Sequence, residues 1–312
     1  MSMRGLLWLL LAVQAGGVLV IAAALHFWLG AGALAALMIG LACALLVRLA
    51  ISVNNFAMSA RHGSPTPAAF ALGPLGRLRL FWREFAASMM AASWHMPRSR
   101  AATRIYPDAQ GLPVLLLHGY GANSGFWAQL AARLDAARIS HATLDLQPLG
   151  CGIDDYLPMV EEAARALCWA SGSHKLVVVG HSMGGLVARA WLRRDRGAMI
   201  ARLITLGTPH HGTRLAGLAL GANGQQMRRG AGDRPESAWL RELAAGEDDA
   251  TRALITSIWS HHDNIVAPQT SSLLPGARNI EFGGVGHVAL GSDPGVLAAV
   301  MHEIAEASGW AA

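Results

Sequence analysis

The sequence predicts an α/β fold, a mostly parallel sheet with helices on both faces, preceded by two transmembrane helices. Three observations carry that reading. From Pro113 onward, short continuous apolar runs alternate with amphipathic segments, as strands buried on both faces and their crossover helices require. The first 47 residues hold two long apolar stretches without formal charge. Across 312 residues, 53% are hydrophobic and 14% charged, with a mean hydropathy of +0.34, too apolar for an evenly textured soluble domain.

The first stretch, Gly5 to Leu29, is long enough to cross a hydrocarbon core of about 30 Å. The second, Ala31 to Val47, is slightly short, and Arg48 at its end can snorkel to the interface. Together they predict a helical hairpin over residues 1–52. The competing reading is a cleaved secretory signal, but the first run exceeds the ~7–15 residues usual for one, and no small-residue cleavage site follows. No acidic residue precedes Glu84, whereas Arg4 comes before the first stretch and Arg48, Arg61, Arg77, Arg79 and Arg83 follow the second. The positive-inside rule therefore puts both ends, and the rest of the chain, on the cytoplasmic side. If only the first stretch spans, the remainder lies on the opposite side.

Residues 53–112 read as a linker broken by Gly63, Pro65, Pro67, Gly73 and Pro74. From Arg77 to Ala92, arginines alternate with Leu, Phe, Trp and Met. Two readings fit equally: an amphipathic juxtamembrane helix with Phe81, Trp82, Phe85 and Met89 dipped into lipid, or a helix packed on the following domain.

Residues 113–312 form the α/β domain. Its strands are expected at PVLLLHG, HATLDL, KLVVVGHS and ARLITLGTP, with helices over FWAQLAARLDAA, DYLPMVEEAARALCWA and GGLVARAWLRR. Such sheets place ligands at the carboxyl ends of their strands. There, Gly180, Ser182 and Gly184 form G-x-S-x-G between a strand and a helix. A serine on that tight turn needs small neighbours and projects its hydroxyl above the sheet at a helix N-terminus.

GHSMGG, with LLLHGYGANSGFW upstream and LGTPHHGT downstream, resembles the lipase branch of the α/β-hydrolase superfamily, in particular bacterial triacylglycerol lipases and related esterases. The resemblance runs from about Pro113 to the C-terminus and leaves the hairpin outside it. It implies a triad in the order Ser, acid, His. Ser182 is then the nucleophile and His287, in the Gly-rich EFGGVGHVAL turn, the base. Asp263, in the loop after the apolar ITSIW, is the acid, with Asp233, Asp248 and Asp249 as rivals in a segment with no strand before it. The resemblance also assigns the oxyanion hole to the backbone N–H groups of Tyr120 and Met183, with Gly119 and Gly121 permitting the first turn.

Residues 212–252 are an insertion that serves as a cap over an acyl pocket or as a plain surface excursion; Leu215, Leu218, Leu220 and Trp239 are its candidate pocket residues. No cofactor is expected. The His210–His211 and His261–His262 pairs lack a carboxylate spaced to complete a metal site. Cys43, Cys151 and Cys168 lack metal-type spacing and make no disulfide framework. The net charge of +5 comes from basic residues scattered along the chain, which argues against nucleic-acid binding. The expected protein is an ester hydrolase held in the bacterial inner membrane and acting on lipid-like esters through an acyl-enzyme. An acyltransferase or thioesterase with the same residues, or a non-catalytic tethered binding protein, are the alternatives; retention of the whole constellation argues against the last.

Overall fold

A computed structural model describes residues 2–230 and 235–309. Two long helices come first, α1 (Met3–Leu29) and α2 (Ala33–His62), joined by a short turn in which Gly30 takes the left-handed conformation. Both are long and apolar enough to cross a membrane. They pack against each other closely enough that a Cβ on Gly40 would lie 2.7 Å from the Val18 carbonyl oxygen. The second helix runs past residue 52, where the hairpin was expected to end, because no Gly or Pro follows residue 52 until Gly63.

Helix α3 (Pro74–Met90) starts with proline in its first turn and continues through a π-helical turn (Ala91–His95) into the short α4 (Met96–Arg98). One face of α3 packs on the following domain. Leu80, Glu84 and Phe85 are buried, while Leu75, Leu78 and Trp82 on the remaining faces stay exposed.

The α/β domain carries strands β1 (Thr103–Arg104), β2 (Val114–Leu117), β3 (His141–Leu144), β4 (Leu176–His181), β5 (Ile200–Leu206), β6 (Ile255–Ser260) and β7 (Arg278–Phe282). Their spatial order is β1-β3-β2-β4-β5-β6-β7, parallel throughout except for the antiparallel edge pair β1–β3. The helices are α5 (Ala128–Ala136), α6 (Leu157–Ser171), α7 (Met183–Asp195), α8 (Ala222–Gln226), α9 (Ala238–Ala245), α10 (Asp249–Ala253) and α11 (Pro294–Ala307).

Strand alternation divides the core in two. Leu115, Leu117 and Val178 face the layer of α6 and α7, with Val160, Ala164, Leu186 and Val187. Val114, Leu116, Val177 and Val179 face the layer of α5 and α11, with Leu130, Leu134, Val296 and Val300. Met3 and Leu7, from the first turns of α1, are buried in this second layer beside Met96 and Phe126. Each such side chain contributes about 1.5–3 kcal/mol when fully buried. Arg4 Nε and Trp8 Nε1 donate to the Pro97 carbonyl at 3.1 and 2.9 Å, fixing the same end of the helix. Higher up, the Arg48 guanidinium joins the three helical segments through Gln14 Oε1 (2.9 and 2.7 Å) and Ser93 Oγ (2.7 Å). The start of α1 therefore belongs to the domain core.

Candidate active site

Strand β4 is buried along its whole length and ends in a turn that holds Ser182 at φ 53°, ψ −122°. A non-glycine residue there stores about 1–3 kcal/mol of strain, so neighbouring contacts must over-determine it. They do: Ser182 N–H donates to the Leu206 carbonyl at 2.8 Å, and its own carbonyl accepts from Gly185 N–H (3.1 Å) and Thr208 Oγ1 (3.0 Å). The motif glycines are forced by close approach. A Cβ on Gly180 would lie 2.6 Å from Gly185 Cα, and one on Gly184 would overlap the carbonyl groups of Leu117 and His118. Across the cleft, a Cβ on Gly119 would lie 2.9 Å from the Ser182 Cβ, and Gly121 has φ 64°.

Asp263 and His287 follow β6 and β7, and the structure brings them together. His287 Nδ1 lies 2.7 Å from Asp263 Oδ2, with both side chains buried. The other carboxylate oxygen, Oδ1, accepts from the N–H groups of Ile265 (2.8 Å) and Val266 (2.7 Å), so the acid has one orientation. With Nδ1 donating to a carboxylate, the neutral ring keeps its lone pair on Nε2, the atom a general base needs. Burial disfavours the His287 imidazolium, but the Asp263 charge, its hydrogen bond and the Glu84 charge outweigh it and raise the pKa. Ser182 and His287 make no hydrogen bond to each other among the described residues.

The backbone of His287 is held on every side. Its N–H donates to Asn264 Oδ1 (2.9 Å), and His181 Nε2 donates to its carbonyl (3.1 Å). The next two N–H groups, of Val288 and Ala289, donate to Glu84 Oε1 and Oε2, both at 2.9 Å. The His181 ring lies between Phe126 and His287, with centroids at 4.0 and 4.6 Å. Burial, then the neighbouring His287, push its pKa well below the ordinary histidine value, so it stays neutral. None of Glu84, Asn264 or His181 was singled out for this role in the sequence.

The acid loop is also held by α2. Ser59 Oγ, near the end of α2, donates to the Asp263 carbonyl at 2.8 Å, and Gln269 Nε2 donates to both that carbonyl and Ser59 Oγ at 2.9 Å.

The N–H groups of Tyr120 and Met183 make no hydrogen bond to a protein acceptor among the described residues. Both residues line a cavity of about 390 Å³ whose other walls include Leu146, Leu149 and Tyr156, with Met3 and Leu6 from α1. Leu220 also lines it, and the Tyr120 hydroxyl closes a loop there, donating to the Leu220 carbonyl (3.1 Å) and accepting from its N–H (3.0 Å).

The expected cap divides into two parts. Leu220, Gly221 and Asn223 line this cavity, whereas Leu215, half-buried, and Leu218, exposed like Leu220, do not. Helix α9 instead buries Leu240 and Leu243 in the core, because the buried Arg189–Glu247 ion pair (2.6 Å) ties the segment just beyond it to α7. Trp239 packs on that core and donates to Asp154 Oδ2 at 2.5 Å, so it is a packing residue away from the cavity walls.

Of the rival acids, Asp248 caps α10 by accepting from Thr251 N–H (2.7 Å), Asp249 lies in that helix's first turn, and Asp233 lies outside the described residues. His210 is buried against the Thr205 and Ser257 hydroxyls at 3.2 and 3.3 Å, and no cluster able to hold a metal ion occurs among the described residues.

Residues 113–231 match a family model described as alpha/beta hydrolase fold. A 101-residue stretch is 30% identical to the pimeloyl-[acyl-carrier protein] methyl ester esterase of Vibrio cholerae serotype O1; it covers 32% of this chain and 38% of that esterase. Among solved structures, the mature Bacillus licheniformis lipase BlEst2 superposes with a TM-score of 0.56 at 19% identity, covering 66% of this chain and 97% of that one. Aspergillus fumigatus lipase B also gives 0.56 at 19% identity, over 79% of this chain and 64% of its own. These likenesses show the fold, and the long helices α1 and α2 precede the matched region.

Proposed function

From a chain with the α/β-hydrolase fold, related to lipases and esterases, we propose a membrane-anchored serine hydrolase that cleaves lipid-like carboxylic esters through an acyl-enzyme at Ser182. The observation that carries this reading is the buried 2.7 Å contact between Asp263 and His287 beside a strained strand-to-helix serine. In the first half-reaction, Ser182 Oγ attacks the ester carbonyl while His287 Nε2 takes its proton. The developing oxyanion is met by the N–H groups of Tyr120 and Met183 and by the positive end of α7. His287 then protonates the leaving alcohol, and a water activated by the same nitrogen hydrolyses the acyl-enzyme. The apolar cavity walled by Met3, Leu6 and Leu146 takes the acyl chain.

Helices α1 and α2 hold the enzyme in the membrane, and both of their domain-facing ends reach the site: Met3 and Leu6 at the cavity, Ser59 at the acid loop. The arginines that follow α2, with no acidic residue before Glu84, support a domain on the cytoplasmic face. The test is hydrolysis of p-nitrophenyl esters of graded acyl length by the detergent-solubilised chain, with Ser182→Ala as the blank. Turnover should vanish in the variant and show a chain-length optimum. Turnover that persists in Ser182→Ala refutes the assignment.

A further inference from the structure

We propose that Glu84, on helix α3 outside the matched hydrolase region, is a positioning residue for His287: its carboxylate clamps the turn that carries the ring and sets a second negative charge facing it. This rests on the reading of His287 as the general base. Glu84 is 2% exposed, and each of its carboxylate oxygens accepts one backbone N–H, from Val288 and Ala289, the two residues after His287. An acid or an amide has only one strong acceptor oxygen, so this two-donor cradle fits the anion.

The chain makes room for the group. Gly286 stands where a Cβ would meet the Glu84 carboxyl carbon at 2.6 Å. No Lys, Arg or His forms a salt bridge with Glu84 among the described residues; its neighbour Arg83 is turned to Asp293 at 2.6 Å. A buried carboxylate without a cation is costly, and a neutral side chain would satisfy one of these N–H groups at lower cost. What a neutral group does not supply is charge at the site where His287 becomes an imidazolium.

The charged and titratable groups facing His287 are Asp263 from the β6 loop, His181 from the end of β4 and Glu84 from α3. Asp263 and Glu84 both favour the protonated ring, whereas His181 stays neutral. Burial raises the Glu84 pKa, and the Asp263 charge adds to it, opposed by its two N–H bonds and by His287. Removing the Glu84 charge therefore lowers the His287 pKa and weakens support for the imidazolium in the transition state.

The experiment measures kcat and KM against pH for the full solubilised chain and for Glu84→Gln, Glu84→Asp, Leu80→Ala and Ser182→Ala on one p-nitrophenyl ester. Glu84→Gln should lower kcat about 10- to 100-fold, the scale of a lost hydrogen bond to a charged group, with KM within about twofold. Its acid limb of kcat/KM should move to lower pH. Glu84→Asp keeps the charge, so its limb should stay near the wild-type position while kcat falls less. Leu80→Ala removes a buried side chain from the same helix; it should lower Tm and leave the limb in place. The proposal is overturned if Glu84→Gln matches wild type, or if it loses kcat with an unmoved limb, as a purely structural role predicts. Failure of both Glu84 variants to fold assigns the residue to folding and also overturns it. Loss of Ser182-dependent turnover in the wild type defeats the hydrolase reading itself, whereas normal turnover with an indifferent Glu84 defeats this inference alone.

Discussion

Replacing Asp263 by asparagine changes one atom, and the surroundings decide how the new amide sits. Two N–H groups, from Ile265 at 2.8 Å and Val266 at 2.7 Å, point at Oδ1. Presenting an NH2 group to both would lose both bonds and leave two buried donors unpaired, at roughly 1–3 kcal/mol each. The amide oxygen therefore stays with them, and Nδ2 faces His287 Nδ1, the 2.7 Å contact in the native chain. A donor there selects the ring tautomer protonated at Nε2, which has no lone pair for the Ser182 proton. With the proposed oxyanion donors and acyl pocket intact, kcat should fall about 10³- to 10⁴-fold, or about 4–5.5 kcal/mol of transition-state stabilisation. Asp248→Asn is the matched control: it caps α10 through Thr251 N–H, a role asparagine also fills, and should retain activity within about twofold. The assay is steady-state hydrolysis of a p-nitrophenyl ester, with circular dichroism to confirm folding. An Asp263→Asn enzyme within tenfold of wild type would refute the tautomer argument and the choice of acid together.

The raised pKa of His287 predicts that the acid limb of kcat/KM lies above the ordinary histidine value of about 6.5, because the base must be neutral to act. The same shift has the opposite consequence for stability: the stabilising contribution is complete below about pH 6.5 and is lost as pH rises through the folded value. The Tm difference between wild type and His287→Gln should therefore shrink with rising pH, and a widening difference contradicts the assignment. Leu6→Trp adds bulk to the wall that α1 lends the cavity and should move the chain-length optimum toward shorter esters; an unchanged profile would mean that acyl chains lie elsewhere.

The residues legible in the sequence are those whose chemistry is local. Ser182 announces itself because strand, serine, glycines and helix are contiguous, and each glycine answers to a clash within the same turn or with β2. The contact between Asp263 and His287 was legible because each follows a recognisable apolar run and the family resemblance implies their order. Glu84 could not: its partners Val288 and Ala289 lie 204 and 205 residues away, and in sequence it is one acid in a stripe of arginines and aromatics. Ser59 was hidden in the same way, in polar residues beyond an apolar span whose helix simply continues. Strand β1 is two exposed residues paired at an edge, too short to leave a periodicity. Trp239 misled because a large aromatic in a polar insertion suggests a pocket, whereas its indole serves packing and a hydrogen bond to Asp154.

The double attachment of the hairpin has a kinetic consequence. A domain on a single flexible tether samples bulk water and meets substrate in three dimensions. Here the start of α1 is buried in the core and the end of α2 is hydrogen-bonded to the acid loop, so the cleft is held at a set height and azimuth under the proposed bilayer. Substrate supply would then be two-dimensional: the governing variable is the mole fraction of ester in the surrounding leaflet, and diluting that ester with inert lipid would slow turnover even at constant total ester.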